Sequence, residues 1–247
     1  MIQKILGMIA VALVVSIVFF EPAIASPGGK IASAAFETLW GRIILVVLTI
    51  VFLPLITYVV VREKLSERRA REDLRFMAKH SPEFEWLRIQ ERVKDCFYRV
   101  HSGWENENLS DTTDWMTAWY WQNQQMVHLD RWKKEGLKNI CDVKKIANIT
   151  PLLFVHRNQG NAHEGSMIAI LIDAKMKDYL VERNSGKVVE GSKRYKNVET
   201  VWSFTMEGGQ WKVSDIEEGS MSMAYAKLAS GLPDIETTLD SDLTAEP

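Results

Sequence analysis

Two side chains on one predicted strand are of the types that acid–base chemistry uses. Asp173 follows the apolar run from 167 to 172, and Tyr179 lies six positions later on the same strand face. A carboxylate enclosed by apolar residues can act as a general acid or base, because burial raises its pKa. The same alternation also fits a solvated face shared by Asp173, Lys175 and Lys177. We favour the solvated face and expect no catalytic residue here.

The histidines are the other candidates for chemistry. His156, His163 and Glu164 lie in a connection rich in Gly and Asn, where no further ligand stands at a recognisable spacing, so a metal site is not predicted. His101 and His128 fall within predicted helices beside polar neighbours, and we expect them to be structural or solvent-facing. The sequence contains no phosphate-binding Gly-rich loop, nucleophile elbow or Cys-x-x-Cys motif. These patterns favour a non-catalytic protein without a cofactor.

Aromatic residues are concentrated in one short stretch, 114–122, which reads DWMTAWYWQ and holds three of the nine tryptophans. In a helix, Trp115 and Trp119 would share one face, while Tyr120 and Trp121 would point away from it. One buried stripe cannot cover all four rings. Tyr120 and Trp121 could pack on neighbouring helices, or they could meet a membrane surface or a partner protein, where such rings are common. We take these two residues as candidates for membrane or partner binding.

Two apolar runs near the N-terminus predict export and membrane anchoring. Residues 1–25 are typical of a signal peptide that ends in a small-x-small cleavage site, and an uncleaved membrane helix is the alternative. Residues 26–42 would then form a short periplasmic segment. The run 43–61 carries no charge, and its nineteen residues reach about 28 Å as a helix, enough to cross a bilayer. We predict a single transmembrane helix at 43–61.

A basic segment, 62–81, follows the predicted span and is expected to be a juxtamembrane linker helix. Its basic side chains are Arg62, Lys64, Arg68, Arg69, Arg71 and Arg75. Only Lys30 and Arg42 lie in the stretch before the span, so the positive-inside rule places the following chain in the cytoplasm of a bacterial inner membrane. The basic residues anchor the span, and they could also attract anionic headgroups at about 1 kcal/mol each. We therefore take all of them as candidates for membrane or partner binding.

Residues 82–230 have the pattern of a globular domain that starts with helices. Apolar residues recur at helical spacing over 83–106, and a second helix is expected from Asp111 to Lys134. The inner face of the second helix is predicted to carry Trp115, Trp119, Gln122, Met126 and Leu129.

After Gly136 the pattern changes to that of antiparallel strands. Apolar and β-branched residues alternate, and turn signals stand at 184–186 and 208–209. Helices followed by such strands indicate an α+β fold. The final segment, 231–247, is acidic and lacks aromatic residues, which predicts a disordered tail.

An ordered series of short motifs runs through this domain. It consists of Glu91-Arg92-Val93-Lys94, Phe97, Trp104, Gly136-Leu137-Lys138-Asn139-Ile140, Asp178-Tyr179-Leu180-Val181, Gly186-Lys187-Val188-Val189, Gly191-Ser192, Trp202-Ser203-Phe204 and Trp211-Lys212-Val213. Over roughly residues 82–218 the series resembles the Tim44-like domain, named for the peripheral subunit of the mitochondrial inner-membrane protein import translocase. A signal peptide followed by one span is also similar to bacterial members. Those members often carry a long Gly/Ser-rich segment where this chain has only Ser26-Pro27-Gly28-Gly29.

The resemblance implies both a fold and a function. The fold is a cone of the nuclear-transport-factor-two-like type, in which helices pack into a curved antiparallel sheet. The implied function is a membrane-anchored scaffold that associates with an inner-membrane protein complex in translocation or assembly, with anionic phospholipid as a second partner. Because the same cone serves isomerases and dehydratases, the alternative is a small-molecule-binding protein or an isomerase-type enzyme. The aromatic residues lack a basic groove, so nucleic acid is not expected as a partner.

Overall fold

Two lengths of chain, 39–157 and 163–240, are described by the computed structural model. The predicted signal peptide lies outside these ranges, as do most of the predicted periplasmic segment and the last seven residues of the chain. The chain divides after Val61 into two compact units, and each is described by itself.

The first unit contains the apolar part of a long helix, α1 (Leu39–Met77). Within the described ranges this is the one helix that is long and apolar enough to cross a membrane, with a candidate span of Val46–Met77. Apolar side chains such as Leu48 and Leu55 are exposed on it. A helix that exposes apolar side chains in this way is typical of a membrane span, where Pro54 is also tolerated.

The second unit begins with the charged part of α1, which contributes one face to the core. Ser66, Ala70, Leu74 and Met77 are buried. Their spacing of three or four residues places them on one side of the helix. The hydroxyl of Ser66 donates a hydrogen bond to the backbone carbonyl of Leu152. The segment predicted as a linker helix is therefore helical as far as Met77 and packs into the domain.

A 3₁₀ turn at Pro82–Phe84 leads into helix α2 (Trp86–Glu105). The prediction of a helix over 83–106 agrees with α2 to within three residues at its start. The large apolar side chains of its buried face are Ile89, Val93, Phe97 and Val100. This spacing matches the helical period seen in the sequence, so hydrophobic burial explains why this stretch is a helix.

Four antiparallel strands form one sheet in the order β1-β2-β3-β4, so each strand pairs with the next along the chain. They are β1 (Leu137–Val155), β2 (Met167–Glu182), β3 (Val188–Glu207) and β4 (Gln210–Glu218). Gly208 and Gly209 join β3 to β4 with φ angles of 60° and 73°, which glycine adopts without strain. The prediction of an α+β fold with an antiparallel sheet is confirmed.

A short stretch, Trp115–Thr117, pairs with the outer edge of β4 at a single position, through a bridge between Met116 and Val213. The N–H of Thr117 donates to the carbonyl of Val213 at 2.9 Å, and the N–H of Val213 donates to the carbonyl of Trp115 at 2.8 Å. The prediction of a helix starting at Asp111 is therefore wrong. Backbone pairing with a strand prevents Trp115 from joining the helix that follows.

The helical run that follows this stretch has three pieces: α3 (Ala118–Gln124), a π-turn at Gln125–Leu129 and α4 (Asp130–Lys134). Because the run starts late and widens at the π-turn, its buried face differs from the predicted one. Tyr120 is only 3% exposed, whereas Trp119 and Met126 are 71% and 66% exposed. Of the residues predicted on the inner face, Leu129 is buried and Gln122 is exposed.

The sheet buries side chains on both faces because neighbouring residues of a strand point in opposite directions. On β2, Ile168 and Ile170 belong to the main core with α1 and α2, on what we call the inner face. Ala169 belongs to a second apolar cluster on the opposite, outer face. That cluster includes Ala229, at the end of helix α5 (Ser222–Ala229).

The predicted disorder of the C-terminal tail is wrong for its first part, where the structure has helix α6 (Ile235–Asp240). Ile235 and Leu239 pack against the main core. Their spacing of four residues places them on one side of a helical turn. The acidic composition of the segment predicted disorder because it drew attention away from this apolar pair. The hydroxyl oxygen of Thr238 also lies 2.9 Å from Nδ1 of His156. Residues 241–247 lie outside the described part of the chain.

Candidate functional site: an aromatic cavity and a basic helix face

A cavity of about 320 Å³ lies between the inner face of the sheet and the helices α2 to α4. Its apolar walls come from rings and aliphatic side chains of both layers. The residues that determine its chemistry are His101, Trp104, His128, Trp132, Asn139 and Trp202. The sequence predicted that His101 and His128 would be structural or solvent-facing, and the structure places both in the cavity wall.

His101 is fixed by its position on the apolar face of α2. Its Nδ1 lies 2.7 Å from the carbonyl oxygen of Phe97, so this nitrogen carries the proton and donates. The ring also stacks near Trp202, with 5.6 Å between the ring centroids. Burial lowers the pKa of His101 to about 4, so the imidazole is neutral at physiological pH. A helical spacing of four residues from Phe97 is the signal by which the sequence could have placed His101 inside.

His128 lies in the π-turn and completes a cluster of three rings. The ring centroids of Trp104, His128 and Trp132 are between 5.5 and 5.7 Å apart. Desolvation lowers the pKa of His128, and the positive charge of Arg131 lowers it further. The wider turn of the π segment turns His128 towards the cavity, and no local sequence pattern signals such a turn.

A few polar groups interrupt the apolar wall of the cavity. Asn139 is buried, and its side chain is hydrogen-bonded to Asp178 at the cavity edge. Gln124 and Thr200 also line the space. A largely apolar cavity with a few fixed polar groups is typical of a small-molecule site. The arrangement can hold an apolar or aromatic ligand and donate hydrogen bonds to it.

The predicted acid–base pair lies away from this cavity. Asp173 and Tyr179 alternate with the inner-face residues of β2, and Asp173 lies opposite Asn148 and Glu199 on the outer face. The Oδ1 atom of Asp173 is buried and lacks a hydrogen-bond partner in the described part of the chain. Asp173, Lys175 and Lys177 thus share one face of the strand as predicted, but all three are only partly exposed and this oxygen atom is buried.

The other predicted histidines form a small polar pair. Nε2 of His156 lies 3.0 Å from Nδ1 of His163. Glu164 accepts a hydrogen bond from the backbone N–H of Gly209 at 3.2 Å instead of joining them. Across 39–157 and 163–240 there is no group of three or more residues that could hold a metal ion.

The basic residues of α1 differ in what they contact. Arg69 donates to the backbone carbonyls of Ala229, Leu232 and Pro233 at 2.7 to 2.8 Å, so it ties α1 to the end of α5. Its neighbour Arg68 is exposed and pairs with Glu72 on the same helix at 2.9 Å.

The remaining basic residues of α1 stay on its outer side. Lys64 and Arg71 both pair with Glu67, and the guanidinium of Arg71 also lies 4.8 Å from the ring centre of Trp86. A shallow groove on this side is lined by Lys64, Glu67, Arg68, Arg71, Glu72 and Arg75. Acidic neighbours thus balance much of the positive charge that the sequence assigned to this helix.

The predicted pair of exposed aromatic residues is separated by the fold. Tyr120 is buried, which agrees with the alternative that its ring packs inside the fold and not with contact to a membrane or partner. Trp121 is half-buried and packs against the main core. Trp119 is the exposed ring of this helix, because the helix begins at Ala118 and turns that position outward.

Helices packed on a four-stranded antiparallel sheet, in a chain with a candidate membrane helix, define the class of α+β domain to which this chain belongs. The chain belongs to the Tim44-like domain family, whose model matches residues 70–218. Among solved structures, the chain is similar to the intermembrane space region of chloroplast protein ARC6, at 4% identity and a TM-score of 0.36. That match covers 52% of this chain and 94% of the other. No curated protein matches the chain.

Proposed function

We propose that the chain is a membrane-anchored, non-catalytic binding module that associates with an inner-membrane protein complex in translocation or assembly. Membership in the Tim44-like domain family supports association with a membrane protein complex. The proposed partner is an integral membrane protein, and the proposal does not specify which one.

The main observation behind this proposal is that one helix, α1, contains both the candidate membrane span and part of the domain core. The helix runs from Leu39 to Met77 without a break. Its first part has the exposed apolar surface of a membrane span, and its second part buries Ala70, Leu74 and Met77 in the core of the domain. An anchor that is also a core element suits a domain that acts beside a membrane.

The proposed arrangement along the chain follows from this helix and the charges around it. Residues 1–25 direct export, 26–42 lie in the periplasm and 43–61 span a bacterial inner membrane. The domain lies in the cytoplasm, since the basic residues follow the span. We also propose that the sheet and helices form the cone-shaped fold of the nuclear-transport-factor-two-like type, which the cavity between them supports.

Anionic phospholipid is a proposed second partner of the outer side of α1. Arg62, Lys64, Arg68, Arg71 and Arg75 remain candidates for headgroup contact, with Trp121 near the surface of the domain. Arg69 and Tyr120 leave this set, because Arg69 holds three backbone carbonyls and Tyr120 is buried. Salt should weaken such binding, since exposed charges are screened.

A phosphatase fusion tests the proposed topology. Alkaline phosphatase attached after residue 80 of the chain should be inactive in a bacterial host, because the enzyme is active only in the periplasm. A matched fusion after residue 35 should be active. Strong activity of the first fusion would place the domain outside the cytoplasm and contradict the proposal.

The aromatic cavity supports a second candidate function, the binding of a small apolar ligand. Purified protein should then carry a bound small molecule that native mass spectrometry detects as added mass. A Val198→Trp substitution fills the cavity wall and should abolish this mass, whereas Val189→Trp on the exposed part of the same strand should retain it. Wild-type protein without any added mass would count against this function.

A further inference from the structure

A second charged surface lies on the outer face of the sheet, away from the cavity. Lys145 lies directly opposite Lys175, and Asp142 lies directly opposite Lys177. These pairs alternate with the inward-facing pair of Val143 and Met176, so their side chains share the outer face. We call Lys144, Lys145, Lys175 and Lys177 the lysine cluster.

Two lysines of the cluster lie against one tyrosine ring. Nζ of Lys177 lies 4.2 Å, and Nζ of Lys144 5.4 Å, from the centre of the Tyr195 ring. The hydroxyl of Tyr195 donates to Oδ2 of Asp142 at 2.6 Å, and Lys177 donates to the same oxygen at 3.2 Å. Asp142 is the carboxylate that pairs with this cluster in the described part of the chain, while Asp173 and Glu199 lie further along the same face.

Lys145 and Lys175 form the unbalanced centre of the cluster. Like charges directly opposite each other on neighbouring strands are destabilising. In the described part of the chain neither ammonium group has an ion pair within 4.0 Å. An anionic group placed between these two side chains would relieve their repulsion, and this gives the surface a reason to bind anions.

The surroundings of the cluster favour an extended polypeptide over a flat membrane. β4 pairs only with the part of β3 from Thr200 to Glu207, so residues 188–199 have no strand on that side within the described ranges. A chain that crosses the outer face can therefore reach this part of β3 without meeting another strand of the sheet. Helix α5 packs on the same outer face and rises about 10 Å above the sheet, which obstructs the close approach of a flat bilayer.

We propose that the lysine cluster and the neighbouring edge of β3 dock an extended, acidic segment of a partner protein. Carboxylates of that segment contact Lys145 and Lys175, and the segment continues from there across the outer face towards residues 188–199 of β3. Exposed Lys193 and Arg194 on this part of β3 add to the positive charge. The inference deepens the proposed binding role, but the two can fail separately because the topology test does not involve this surface.

Binding of a defined acidic peptide tests this proposal on the full-length protein in nanodiscs of phosphatidylcholine. The probe is a fluorescein-labelled oligo-L-glutamate peptide at low salt, followed by fluorescence anisotropy. The variant Lys145→Gln/Lys175→Gln should weaken its binding by roughly tenfold. The matched control Lys133→Gln/Lys134→Gln removes the same charge from the exposed end of α4 and should change the affinity less than about twofold.

Three outcomes would overturn the proposal. Equal binding by both double variants would show that the peptide attaches elsewhere. Absence of peptide binding by the wild type would leave the lysines as protection against edge-to-edge aggregation only. If phosphatidylglycerol vesicles bind the wild-type nanodiscs through Lys145 and Lys175 while the peptide does not, the surface serves an anionic membrane and not an acidic chain.

Discussion

Two neighbouring arginines show how the same residue type can have different roles in one helix. Arg69 donates to the carbonyls of Ala229, Leu232 and Pro233, whereas Arg68 is exposed and pairs with Glu72. Replacing Arg69 leaves those carbonyls without a charged donor, and hydrogen bonds to charged groups contribute about 1.5–3 kcal/mol each.

We expect Arg69→Ala to lower the free energy of unfolding by about 2 kcal/mol, because water can replace part of the lost hydrogen bonding. The matched variant Arg68→Ala should leave stability unchanged within error, because its partner is an exposed carboxylate on the same helix. Thermal unfolding of the full-length chain in detergent measures both. Equal losses in the two variants would contradict the role given to Arg69.

His101 should make stability depend on pH. Burial lowers its pKa from the ordinary 6.5 to about 4, so the unfolded chain takes up this proton at a higher pH than the folded chain. Stability should therefore be complete above about pH 6.5 and fall as the pH drops towards about 4, by at most about 1.4 kcal/mol for each pH unit.

The variant His101→Gln isolates this effect, because glutamine retains an N–H donor but does not titrate. We expect the free energy of unfolding, measured with denaturant at several pH values between 4 and 7, to change less steeply with pH in the variant than in the wild type. Identical slopes would show that His101 is solvated within the cavity.

Helix α1 contributes to the domain core as well as providing the candidate membrane span. Leu74 is 1% exposed, whereas Leu65 on the same helix is 56% exposed. Leu74→Ala should lower the free energy of unfolding by about 2–5 kcal/mol, because it leaves a cavity in the core. Leu65→Ala should have little effect on unfolding of the domain. Equal thermal stability of the two variants would mean that the helix does not pack on the domain in solution.

The sequence was informative about elements with a clear period and less so about irregular ones. Ile89, Val93 and Phe97 repeat at helical spacing, so α2 could be predicted almost to its ends. The alternating strands and the Gly208–Gly209 turn were predicted for the same reason. The start of α3 could not be predicted from the sequence, because it depends on pairing between Trp115–Thr117 and β4. These residues are about a hundred positions apart in the chain.

The candidate sites were harder to predict than the fold. His101 and His128 line the cavity only because a helix and a π-turn bring them against the sheet, and neither stands in a recognisable motif. The basic residues of α1 were visible in the sequence, but the difference between Arg68 and Arg69 was not. That difference arises from where the C-terminal segment crosses α1, which no local pattern encodes.

The whole molecule combines a candidate membrane helix, a packed α+β domain and a proposed docking surface for a protein partner. Family membership supports association with a membrane complex. A module of this kind should be found beside an integral membrane protein in the cell.

Photo-crosslinking in living cells tests this central claim most directly. A photoreactive residue is placed at Lys145 on the outer face of the sheet and, in a second variant, at Trp119, which is 71% exposed on α3. We expect irradiation to join at least one of these positions to an integral membrane protein, in a product that is absent without irradiation. Crosslinks only to soluble proteins or only to lipid, from a chain that is correctly inserted, would rule out the proposed association with a membrane protein complex.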